Sequence, residues 1–185
     1  MSVNNGILTI DSPNGGDTYS MPVDWSSAYW DTPPDPWSRN VDNHRGWWIE
    51  ARFRVDRMTP RTCHTIEDQG GVGFRGGDFD REFRLFVGPT SICILTLNYP
   101  DTQMVSVALD STSAYRVYRL VVKDNIAKVY VDGSLVIDYA VPLDLHYGSD
   151  PGIWFGNFYE IKPMRSYWDY LKFDVRGLAP QSSGS

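Results

Sequence analysis

YRVYRLVVKDNIAKVYVDGSLVIDY, residues 115–139, holds three β-rich runs separated by two compact turn signals. Tyr118, Leu120 and Val122 alternate with Val117, Arg119, Val121 and Lys123, and Val129 and Val131 alternate with Lys128, Tyr130 and Asp132. That is the two-residue period of strands. Lys123-Asp124-Asn125 and Asp132-Gly133 supply residue types that tolerate a positive φ, as tight hairpin turns require. The stretch therefore predicts a meander of three consecutive antiparallel strands.

Working outward, Trp47 to Val55 reads as another strand. Trp47, Ile49, Ala51, Phe53 and Val55 form its core face, and Trp48, Glu50, Arg52 and Arg54 share the opposite one. Those polar residues are either a solvated charge ladder or the lining of a binding face. Further strands are predicted at Ile7–Ile10, Arg81–Val87, Ser91–Asn98, Gln103–Leu109 and Tyr167–Val175, with an aromatic cluster at Ile153–Tyr159 beside the last, and no segment carries a helical period. Met21 to Arg45 holds Trp25, Tyr29, Trp30, Trp37 and four prolines, with neither period, and reads as a long loop. Long loops are often functional, so Trp25, Trp30 and Trp37 either face outward as a binding rim or cap the core.

Three segments in order carry a family likeness. The run YRLVV, turn, KVYVDGSLV resembles the central meander of concanavalin A-like lectins and glucanases. Gly46-Trp47-Trp48-Ile49-Glu50-Ala51-Arg52 is similar to the glucanase G-Y-F-E-A-R strand, and Trp168-Asp169-Tyr170-Leu171-Lys172-Phe173 to the closing V-D-Y-V-R-V strand. The resemblance implies an all-β fold, an antiparallel β-sandwich of the concanavalin A-like jelly-roll type. It brackets most of the chain, giving one domain over residues 1–176 and a tail over 177–185. Such a fold hosts enzymes, lectins and adhesive modules alike, so function must come from the site.

The glucanases of this superfamily use an E-x-D-x-x-E strand. Its best local counterpart is Arg81 to Gly88, and in that alignment Arg81, Phe83 and Leu85 stand where carboxylates belong while Glu82 points the other way. Glu50 with Asp78 or Asp80 is another conceivable pair. Alginate lyases of a related jelly roll use Tyr and His, but neither their R-x-E-x-R nor their Q-x-H strand is present around His44, His64 and His146. Gly71-x-Gly73-x-x-Gly76 matches a dinucleotide fingerprint in form, without the helix and βαβ unit that motif needs. Its glycines fit turns, or a strand closely approached by another backbone.

The resemblance also implies a structural calcium ion, with Asp169 and a carbonyl of Gly46 among its oxygen ligands. Zinc spacing is lacking around Cys63-His64. Two cysteines are too few for a disulfide scaffold, and one bridge or two thiols are both open. A net charge of −6 argues against nucleic acid and anionic membranes, which need a basic footprint. No apolar run is long enough to span a bilayer, and residues 1–5 lack the charge and apolarity of a signal peptide.

An aromatic share of 14% exceeds what a core needs and suggests a contact surface, because flat rigid rings bind at low entropic cost. The expectation is a non-catalytic module that binds a glycan or polysaccharide, extracellular or surface-displayed. Trp25, Trp30, Trp37 and Trp48 would stack on sugar rings, Glu50, Arg52 and Arg54 would take hydroxyls, and Trp154 is a further stacking candidate. A lyase or hydrolase with an unrecognised site, or a protein-interaction domain, are the competing readings.

Overall fold

A computed structural model describes residues 2–12, 20–22, 41–58, 63, 71–78, 81–96, 103–141, 152–158, 163–175 and 177. All thirteen elements among them are strands. The meander forms as the sequence predicts: β9 (Arg116–Lys123), β10 (Ile126–Val131) and β11 (Ser134–Ala140) pair antiparallel in succession. Its turns use left-handed backbone at Asp124 (φ 55°), Asp132 (50°) and Gly133 (83°), the residue types that adopt it most readily.

Around the meander lie β1 (Ser2–Asn4), β2 (Ile7–Ser12), β4 (Trp47–Met58) and β13 (Met164–Asp174). They complete a seven-stranded sheet in the order β1-β2-β13-β4-β9-β10-β11. The second sheet holds β3 (Ser20–Pro22), β5 (Gly71–Gly77), β6 (Glu82–Val87), β7 (Ser91–Thr96), β8 (Gln103–Ala108) and β12 (Gly152–Phe158), in the order β3-β12-β5-β6-β7-β8. Every pairing is antiparallel. The fold is an antiparallel β-sandwich.

The core lies between the sheets. β4 contributes Trp47, Ile49, Ala51, Phe53 and Val55, all but completely buried, as its alternation predicts. Phe53 stacks between Tyr118 (ring centroids 4.4 Å apart) and Trp168 (4.3 Å), and Phe74 of the other sheet meets it edge-on at 5.9 Å. Such offset and edge contacts suit the ring quadrupoles and add to burial of the apolar area. The glycine run of β5 is a strand squeezed by its neighbours. A Cβ on Gly73 would overlap the Leu85 carbonyl oxygen, and one on Gly76 would lie 2.7 Å from the Trp47 ring.

Two readings of the sequence need correction. Met21 and Pro22 belong to a short strand, not to the loop, and β3 lies at the edge of its sheet, where a missing N–H costs no ladder bond. On β6 the facing is opposite to the glucanase-like alignment. Phe83 and Leu85 enter the core, and Glu82, Arg84 and Phe86 lie on the outer face. Glu82 and Arg84 alternate with Phe83 and Leu85, so the strand period alone gives the observed facing and the family-like alignment is what misleads, even though both faces of β6 end up buried.

Candidate functional site

The outer face of the seven-stranded sheet carries Trp48, Glu50, Arg52 and Arg54 together, as the period of β4 requires. The register then adds residues from other strands. Asp174, Trp48, Val121, Lys128 and Asp138 form one row across five strands, and Lys172, Glu50, Arg119 and Tyr130 form the next. Directly opposed side chains in such rows lie within reach of one another.

Glu50 is not a solvated rung. It is buried, with 6% of its surface exposed, because Arg119 closes on Oε2 through both Nε (2.7 Å) and Nη2, and the Tyr170 hydroxyl donates to Oε1 at 3.0 Å. Three strands thus meet at one carboxylate. Burial raises the Tyr170 pKa, and its hydrogen bond to Glu50 and the neighbouring negative charge add to the effect, bringing it to about 12. The Arg119 guanidinium also lies over the Trp48 ring, 6.0 Å from its centroid, which fixes one face of that half-buried indole.

Further along the face, Arg52 pairs with Asp169 through Nη1 and lies 5.1 Å from the Tyr115 ring centroid. Arg54 sits between two tyrosines, 5.7 Å from the Tyr115 centroid and 5.1 Å from that of Tyr167. The Tyr167 hydroxyl donates to Asp56 at 3.2 Å, and Arg165 pairs with Asp11 through Nε (3.0 Å) and Nη2 (2.6 Å). Lys172 lies 4.4 Å from the centroid of Tyr170. The result is a platform of rings and ion pairs fixed on strands, which holds side chains more rigidly than loops do.

The outer face of the other sheet differs. Glu82 is shut between Arg75 (Nε at 2.7 Å from Oε2) and Arg84, its side chain without solvent exposure, and Trp154 stacks on Arg75 at 4.3 Å. Beside them Phe86, Cys93 and Leu95 are buried with Cys63, which forms a disulfide with Cys93. The open question of bridge or thiols is thereby answered, and the bridge holds Cys63 against this face.

At one end of the sandwich Asn43 joins the sheets. It donates through its backbone N and Nδ2 to the two Asp78 oxygens, both at 2.8 Å, and accepts Trp47 Nε1 at 2.7 Å. Asp78 is thus engaged on the six-stranded sheet while Glu50 lies on the outer face of the seven-stranded one, so the two do not form a catalytic pair. Asp80 lies outside the described residues.

Trp25, Trp30 and Trp37 also lie outside the described residues. Asp169 and Gly46, the pair drawn as ligands of one calcium ion, are placed apart. Asp169 occupies the bulge opposite Arg52 and Phe53, in the middle of β4, whereas Gly46 precedes the strand's first residue, Trp47. Six residues of strand separate them, roughly 20 Å at about 3.3 Å per residue, so they cannot share an ion whose ligands lie within about 2.6 Å. Gly46 instead ends a turn at φ 86°, its N donating to the Asp42 carbonyl at 2.9 Å.

Tyr115, Arg119, Tyr167 and Tyr170 were not singled out in the sequence. Strand pairing brings Arg119 and Tyr170, 69 and 120 positions away, to Glu50, and Tyr115 and Tyr167 to either side of Arg54.

These features define an all-β sandwich whose seven-stranded sheet carries, among the described residues, a polar and aromatic outer face. Its fold is similar to that of solved receptor-binding domains of botulinum neurotoxins. The serotype D binding domain matches with a TM-score of 0.51 at 9% identity, over 80% of this chain and 36% of that one. The serotype G binding domain matches at 0.52 and 12%, over 74% and 34%. The binding domain of botulinum neurotoxin DC, solved in complex with SialylT, matches at 0.53 and 10%, over 72% and 33%. This chain spans about a third of the length of those chains, and at such identity the likeness is one of fold. The sequence matches no protein family and no curated protein.

Proposed function

We propose that this protein is a non-catalytic glycan-binding module with a concanavalin A-like sandwich, acting outside the cell or on a displayed surface. The observation that carries the reading is the outer face of the seven-stranded sheet, where Trp48, Tyr115, Tyr167 and Tyr170 alternate with guanidiniums and carboxylates already held in place. Sugars dock by laying apolar C–H faces on rings while polar groups take the hydroxyls. The likeness to binding domains, one of them solved with SialylT, supports the same reading. Trp25, Trp30 and Trp37 are proposed as additional stacking residues at the rim.

A non-catalytic role is supported by the two buried glutamates. Glu50 is occupied by Arg119 and Tyr170, and Glu82 by Arg75 and Arg84, so among the described residues neither faces a second carboxylate across a cleft as glycoside hydrolysis needs. The Cys63–Cys93 bridge supports an oxidising location.

The test is a broad glycan and polysaccharide array, with the same wells assayed for reducing ends and unsaturated uronate. Binding without turnover is the expected result. Turnover would replace this reading with an enzyme, and silence in both channels would leave a protein-interaction role.

A further inference from the structure

We infer that Arg54, with Arg52 beside it, forms a subsite for the acidic group of an anionic saccharide. Among the arginines of this face, Arg52 is paired with Asp169, Arg119 with Glu50, and Arg165 with Asp11. Arg54 has no carboxylate partner among the described residues, and its buried Nε donates to nothing there. Asp56, two residues along the same strand, contacts Tyr167 and Arg165 instead.

The arrangement is local and built. Two guanidiniums lie within 6 Å of the Tyr115 ring, at 5.1 and 5.7 Å, and Asp169 is the one carboxylate that pairs with either of them among the described residues. Counting Asp11 and Asp56 on Arg165 and Tyr167, the wider patch balances three guanidiniums with three carboxylates, and what sets Arg54 apart is that none of those carboxylates pairs with it. Rings on both sides of Arg54 satisfy the faces of the guanidinium but not its in-plane N–H donors, the groups that grip a carboxylate or sulfate in bidentate fashion. The same two tyrosines offer ring surface to the sugar that carries the acid.

The ligand's being a saccharide rests on the glycan-binding reading; the anion preference does not. The experiment therefore has two readouts. In the first, tri-galacturonate and its methyl ester are titrated into the wild type, Arg54→Gln and Arg54→Lys by calorimetry, each variant checked by melting temperature. The acid is expected to bind about tenfold more tightly than the ester in the wild type, with that preference lost in Arg54→Gln and partly kept in Arg54→Lys. In the second, the Arg54 Nε–H resonance is followed by NMR while acetate and sulfate are added. It is expected to shift for both anions.

Saccharide binding with no acid preference and no shift would overturn the subsite while sparing the glycan reading. A shift with anions but no saccharide binding would keep the anion subsite and remove the glycan. An unmoved resonance and equal binding by Arg54→Gln would sink the inference outright.

Discussion

Arg119 closes on the Glu50 carboxylate from the neighbouring strand, with its Nε 2.7 Å from Oε2, and the two residues stand directly opposite in the β4–β9 register. The carboxylate is nearly out of water, so removing its partner strands a charge. Arg119→Met is expected to cost roughly 2–3 kcal/mol in urea unfolding. The double variant Glu50→Leu/Arg119→Met should lose less than the sum of the singles. Additive losses would mean that the pair contributes nothing as a pair.

Tyr170 gives this clasp a pH dependence. Its hydroxyl pKa is raised to about 12, so the folded protein holds that proton more tightly than the unfolded chain does. The stabilisation is complete below about pH 10, the ordinary tyrosine value, and is lost as pH rises from there toward 12. Tyr170→Phe should melt lower than the wild type at pH 8 and show a shallower fall between pH 10 and 12. Parallel melting curves across that range would count against it.

The glycines of β5 are not interchangeable with those of the turns. Gly73→Ala drives a methyl into the Leu85 carbonyl of the paired strand, and a loss of at least about 3 kcal/mol, or failure to fold, is expected. Gly6 has open space around it but a φ of 79°, so Gly6→Ala should cost only about 1 kcal/mol. Thermal unfolding of the two variants side by side checks the order.

Asp169 pairs with Arg52 at a site where both side chains are more than a third exposed, 35% and 43% respectively. Such pairs contribute less than about 1 kcal/mol, so Asp169→Ala should lower the melting temperature by under about 4 °C. The drop is expected to be equal in calcium and in EDTA. A drop confined to calcium would restore Asp169 as a ligand.

Reducing the Cys63–Cys93 bridge opens a loop with a sequence separation of 30 residues. The chain-entropy estimate for that length is about 3–4 kcal/mol, or roughly 10 °C in melting temperature. Calorimetry with and without a phosphine reductant measures it.

How much of this was legible in the sequence follows from what each strand borders. β4 and β9 have one core face and one polar face, so their alternation gave both the strand and its orientation. On β6 the same rule gives the right facing from Glu82 and Arg84 against Phe83 and Leu85, and the miss came from preferring the family-like alignment on a strand buried on both sides. β1 is three exposed residues, Ser2, Val3 and Asn4, with no pattern of its own, formed by pairing with β2. For the site, period two placed Trp48, Glu50, Arg52 and Arg54 on one face. It could not say that Arg119 and Tyr170 would close over Glu50, because those contacts depend on which strands become neighbours.

The Cys63–Cys93 bond also has a topological side. A protease that cuts once anywhere between the two cysteines divides the polypeptide without separating the pieces. The nicked molecule would migrate as one species on a non-reducing gel and as two after reduction, so damage in that interval leaves the two portions of the chain tethered to each other.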